Sequence, residues 1–119
     1  MVESVKYHVL LVGIDAYNIK PLHGCVNDID AVQRVLVERA GIPVERIRRL
    51  ASPHPGPNGE TTPPEQAATL DNIRAALKAL ASDEVSKNDR VFVYYSGHGA
   101  RLSLRSEAAG MLYNSEALV

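Results

Sequence analysis

The sequence predicts an α/β domain: a mainly parallel sheet with helices on its faces. Three observations predict it. Short, almost wholly apolar runs stand at Tyr7 to Val12 and at Val91 to Tyr95. Amphipathic stretches at helical spacing lie between them. The resulting order is strand, helix, strand, helix, strand.

The first run, Tyr7-His8-Val9-Leu10-Leu11-Val12, ends in Gly13 and reads as a buried parallel strand. A helix is predicted to follow near Asn27, a good N-cap, with Asp28 and Asp30 in its positive first turn. Ile29, Val32, Leu36 and Ala40 share one face, and Gly41 supplies the C-terminal stop. Pro43 leads into a second strand from Arg46 to Ala51, whose Arg46, Arg48 and Arg49 read as its solvated side. Residues 52 to 64, SPHPGPNGETTPP, carry five prolines and two glycines and read as an exposed loop. Thr69 caps a second helix with Ile73, Leu77 and Leu80 on its apolar face. Asn88-Asp89 then turns the chain into the third strand, Arg90 to Tyr95. After Ala100 the pattern fades, and residues 101 to 119 read as a loop and the start of a further element.

The chain has the size of one domain, with 45% hydrophobic and 23% charged residues and a net charge of −1. That balance gives no electrostatic reason to expect nucleic acid or an anionic membrane surface. No apolar run approaches the roughly 20 residues of a membrane span, and no signal peptide is recognisable. The single cysteine, Cys25, excludes an internal disulfide and fits a reducing, cytoplasmic compartment.

In open parallel sheets the reactive groups gather beyond the carboxyl ends of the strands. Asp15, Cys25 and Asp28 follow the first strand and His98 follows the third, so all four belong to one sheet edge. Neither G-x-G-x-x-G nor G-x-x-x-x-G-K-[ST] is present, which removes the usual support for nucleotide binding. His23 and Cys25 are two residues apart, but a metal needs three or four ligands and there is no second pair. Gly97 and Gly99 flank His98 and allow close backbone approach and unusual dihedrals. On spacing alone His98 reads as a catalytic base or as a turn histidine at a strand end. Cys25 reads as a small buried hydrophobe, Asp28 as a helix-start carboxylate, and Asp15 as an Asx-turn residue.

Taken together, LLVGIDAYNIKPLHGCVNDIDAVQRVL (10 to 36) and DRVFVYYSGHGAR (89 to 101) resemble the caspase-like cysteine peptidases. The match is closest to the metacaspases and their bacterial relatives, through Gly24-Cys25-Val26-Asn27-Asp28 and Tyr95-Ser96-Gly97-His98-Gly99. The resemblance covers residues 6 to 101 and implies part of a three-layer sandwich, with sheet order 2-1-3. It implies that His98 is the histidine of a Cys-His dyad, helping to form a thiolate and then protonating the leaving amine. The nucleophilic cysteine implied by the family has no match in residues 1 to 119. Cys25 matches a second cysteine near the active site, and Asp28 matches an acid of a pocket for a basic P1 side chain. A partly desolvated carboxylate suits a guanidinium through paired charge-assisted hydrogen bonds.

The family also implies a strand beginning near Glu116-Ala117-Leu118-Val119. Many metacaspases carry an acidic stretch after the histidine loop that is associated with calcium activation. Here that region holds only Glu107 and Glu116, which speaks against calcium dependence. No other cofactor is implied. The partners expected are peptides with a basic P1 and the remainder of the peptidase domain. The third strand, as a sheet edge, would expose VFVYY until a further strand or chain covers it. The chain thus reads as a large-subunit-like portion of a cysteine endopeptidase. The competing readings are a non-catalytic caspase-like regulatory module and an unrelated small α/β domain.

Overall fold

A computed structural model describes residues 5–17, 21–55, 59, 62–82, 85–106 and 111–118. Three parallel strands form the main sheet: β1 (Tyr7–Ile14), β2 (Ile47–Ser52) and β3 (Arg90–Ser96), in the order β2-β1-β3. Helix α1 (Cys25–Glu38) connects β1 to β2, and α2 (Leu70–Leu80) connects β2 to β3. The order and the parallel pairing are those expected.

β1 is central, and its side chains alternate between the two faces. Val9 and Leu11 pack with Ile29, Ile42 and Ala51, against which Val26, Val32 and Leu36 of α1 close one layer. Leu10, Val12 and Ile14 pack with Leu50 and Ala76, with Ile73 and Leu80 of α2 closing the other. A strand covered on both faces has no polar side, which explains the unbroken apolar run. The paired registers bring the strand ends level, since Gly13 stands opposite both Ala51 and Ser96.

Several expectations need correction. α1 begins at Cys25, two residues before the expected cap at Asn27, because Gly24 is the N-cap and provides no side-chain bond. Its capping acceptor comes from outside the helix, as described below. Ala40 lies beyond the end of α1 and is exposed, whereas Gly41 does adopt a left-handed φ of 70°. Arg46 belongs to a 3-10 turn, Val44–Arg46, and β2 starts at Ile47. Arg49 is half-buried and forms an ion pair with Asp30 of α1, while Arg48 is exposed. Thr69 caps α2 as expected, its hydroxyl accepting from the Asn72 N–H at 3.2 Å. Leu77, however, is 44% exposed, and Ala76 takes the buried position between Ile73 and Leu80.

The largest difference follows His98. In place of a loop, β4 (Gly99–Ser106) and β5 (Met111–Leu118) pair antiparallel as a separate two-stranded sheet. Leu102 and Leu104 alternate with Arg101, Ser103 and Arg105, a period-2 pattern too short to be decisive without its partner strand. Glu116 to Leu118 therefore lie in β5, with Glu116 opposite Arg101, and do not extend the main sheet. Glu107 and Val119 fall outside the described residues, as do parts of the 52–64 loop. Within the three-stranded sheet β3 is an edge, and Val91, Phe92 and Val93 are 48%, 41% and 47% exposed.

Candidate active site

The site grows from the end of β1. Gly13 lets the first turn of α1 settle on the strand. A Cβ there would stand 2.9 Å from the Cys25 carbonyl oxygen and 3.0 Å from the Ile29 side chain. Asp15 follows and is buried, at 6% exposure. Its N–H and that of Ala16 both donate to the Ser52 carbonyl at the end of β2, at 2.9 and 3.0 Å. Its carbonyl accepts from Tyr17 and Leu22, at 3.0 Å each, closing the loop back on itself. Its carboxylate accepts from the Cys25 N–H at 2.8 Å and the Val26 N–H at 3.3 Å. Asp15 thus supplies the capping acceptor that the N-cap residue Gly24 lacks, satisfying two of the helix's orphan donors from another element. Its negative charge also faces the positive end of the helix.

That cap fixes the turn carrying Cys25 and Asp28. Cys25 is a buried free thiol. Asp28 is exposed, one turn further on, and its Oδ2 accepts from the Ser96 hydroxyl at 2.9 Å. Ser96 is the last residue of β3, two before His98. The first turn of α1 and the end of β3 are therefore joined through a carboxylate. The partly desolvated environment expected of Asp28 is not seen here, because its position on the outer side of the first turn leaves it open to solvent.

His98 is half-buried. Its N–H donates to the Tyr17 hydroxyl at 2.8 Å, and its carbonyl accepts from the Tyr95 hydroxyl at 2.9 Å. The two hydroxyl oxygens are 3.2 Å apart. With the Tyr95 proton given to His98, Tyr17 is the donor between them, and all three bonds run in one direction. The Tyr17 and His98 rings stand 4.3 Å apart, tilted by 56°. Gly97 is required for close approach: a Cβ there would lie 2.6 Å from the Tyr17 hydroxyl and 2.7 Å from that of Tyr95. Its φ is not among the left-handed ones, so the unusual dihedral expected there is not the reason. Gly99 is the first residue of β4.

His23 and His54 face each other at 5.0 Å, and His54 Nε2 donates to the Leu22 carbonyl at 2.6 Å. They join the loops after β1 and β2. Among the described residues no group of three or more His, Cys, Asp or Glu is arranged to hold a metal ion.

All four residues expected at one sheet edge do lie there, and three others join them. Tyr17, Tyr95 and Ser96 are not recognisable as site residues from spacing. Position beyond a strand end was the one available signal for Tyr17. The decisive contacts, hydroxyl to backbone and hydroxyl to carboxylate across 81 and 68 residues, are invisible in one dimension.

The family described as "Metacaspase, peptidase C14 domain" matches residues 8–118. The chain belongs to the metacaspase family. Metacaspase-6 of Arabidopsis thaliana is 39% identical over 94 residues, covering 78% of this chain and 23% of the relative. Metacaspase-1A of Aspergillus oryzae is 34% identical over 93 residues, 77% of this chain and 20% of the relative. Metacaspase-1 of Schizosaccharomyces pombe is 32% identical over 98 residues, 81% and 21% respectively. The chain spans between a fifth and a quarter of the length of these metacaspases. The family is one of cysteine peptidases, and the parallel sheet with a helix layer on each face is part of the caspase-like fold.

Proposed function

We propose that this chain is the histidine-bearing portion of a cysteine endopeptidase that cleaves after arginine or lysine. His98 is the base of a Cys-His dyad, and the nucleophilic cysteine lies outside these 119 residues. His98 takes the thiol proton as the thiolate attacks the scissile carbonyl, then returns it to the leaving amine. This chemistry needs no metal or cofactor, and the sparse acids after the histidine loop argue against calcium activation. The remaining part of the peptidase domain completes the site and covers the exposed apolar edge of β3. A cytoplasmic setting suits a reduced thiol.

The observation that carries the P1 assignment is the Asp28–Ser96 contact. It anchors a carboxylate beside the loop of the proposed base, and Asp28 remains open on its other side to a cationic partner. Asp15 is already committed to the backbone of α1, so Asp28 is the carboxylate available to substrate. An aspartate at P1 would meet like charge there, whereas arginine would meet paired acceptors. Arg101 and Arg105 are basic residues in the segment after the histidine and so are candidate self-cleavage sites under this specificity. Both lie within β4, where strand pairing disfavours entry into a peptidase cleft.

The test is P1 profiling of the complete peptidase with a varied peptide library, together with two variants. His98→Ala lowers kcat at least about 100-fold, the lower end for a lost acid–base group. Asp28→Asn lowers kcat/KM for arginine substrates by about 10- to 100-fold, the worth of a hydrogen bond to a charged group. A preference for aspartate over arginine at P1 refutes the specificity, and a well-folded, active His98→Ala variant refutes the dyad.

A further inference from the structure

We propose that Tyr17 and Tyr95 are positioning residues, whose hydroxyls clamp the backbone N–H and carbonyl of His98 and so fix where its imidazole stands. The inference rests on the reading of His98 as the catalytic base. A residue between two glycines has little local constraint on its backbone, and a base must be held in a productive geometry to work. Here both polar groups of the His98 backbone are taken by side chains, the N–H by Tyr17 and the carbonyl by Tyr95.

The two hydroxyls contact each other, which closes a ring in which each bond polarises the next. They also occupy the space that any side chain at position 97 would need, so the glycine and the clamp form one unit. The Tyr17 ring lies against the imidazole itself. A tyrosine serving only to fill space needs its ring and not its hydroxyl, yet here both hydroxyls are directed at the backbone of one residue, one at each of the two peptide units that flank its Cα.

Tyr17 also refers the His98 backbone to the rigid part of the molecule. It stands three residues after β1, whose Val9 to Val12 are almost wholly buried. Its own N–H donates to the carbonyl of Asp15, whose carboxylate caps the helix carrying Asp28. The segment 15–17 therefore sets both the base and the carboxylate proposed to receive the P1 side chain from one strand end.

The test uses the complete peptidase. Tyr17→Phe keeps the ring against His98 and removes the hydroxyl. Turnover of an arginine peptide falls about 10-fold in kcat, with KM within about twofold. Amide hydrogen exchange at His98, read at single-residue resolution by fragmentation mass spectrometry, accelerates at least about 10-fold while that of Leu11 in β1 is unchanged. Tyr95→Phe releases the carbonyl end, gives the same loss of kcat at unchanged KM, and decides the matter should the first variant not fold. Unchanged kcat or unchanged exchange at His98 overturns the proposal. So does faster exchange at Leu11, which marks general loosening. His98→Ala separates this inference from the one beneath it. If that variant keeps its turnover the catalytic assignment fails, while exchange at His98 in Tyr17→Phe still reports on the clamp.

Discussion

Asp15→Ala removes both acceptors that close the N-terminus of α1, and the size of the loss follows from the geometry. The bond from the Cys25 N–H is short and buried, and the one from Val26 is longer and partly buried. A hydrogen bond to a charged group contributes about 1.5–3 kcal/mol, and loss of a helix cap alone costs about 0.5–2 kcal/mol. Assigning about 2 kcal/mol to the first bond and half that to the second gives about 3 kcal/mol. Gly24 offers no side-chain cap in place of Asp15, and Cys25 is itself buried. For a chain of this length the melting temperature falls about 4 °C per kcal/mol, hence about 12 °C. Asp15→Asn keeps one acceptor oxygen and loses the charge, and sits about midway. Asp30→Ala is the control on the same helix, because its ion pair with Arg49 is partly exposed and worth about 0–1 kcal/mol. Thermal and urea unfolding of the three variants measures the differences. If Asp15→Ala loses no more stability than Asp30→Ala, the remote cap is not what holds this helix.

Two further outcomes are expected. The 119-residue chain alone shows no peptide turnover and no adduct with an electrophilic arginine-directed inhibitor by intact mass, because Cys25 is buried at the start of α1. A stoichiometric, His98-dependent adduct on Cys25 would overturn that. At the opposite end of the sheet, Asp89 accepts from His8 at 2.9 Å and from the Ser86 N–H at 3.0 Å. The His8 hydrogen bond first, and the backbone bond second, hold the Asp89 carboxyl below its usual value. A carboxyl lowered on folding stabilises the fold above its unfolded value of about 3.9, and that contribution is lost as pH falls through the lowered folded value. The stability gap between the parent and Asp89→Asn therefore narrows below about pH 4. A gap in urea midpoint that stays constant from neutral to strongly acid pH refutes the coupling.

The sequence by itself determined the elements of the main sheet, because their causes are local. A strand covered on both faces must be apolar throughout, and Val9 to Val12 show it without any knowledge of what covers them. Ile29, Val32 and Leu36 keep helical spacing, Gly41 ends the first helix with a left-handed φ, and Thr69 starts the second. Parallel strands joined by helices bring their carboxyl ends to one edge, so the residues following the first and third strands had to meet. The two glycine-flanked motifs carried the family.

What the tertiary structure alone decided depends on contacts between distant segments. Asn27 has the better local cap chemistry, but α1 starts at Cys25 because a carboxylate from the preceding strand end satisfies its first donors. Leu77 yields its place to Ala76 because the sheet, and not the helix, sets which side is covered. The hairpin after His98 needed its own partner strand to show itself. The glycine at position 97 is explained by two hydroxyls from residues 17 and 95, not by its own dihedral. In each case the interaction energy lies between groups that only folding brings into contact, and one-dimensional spacing carries no record of it.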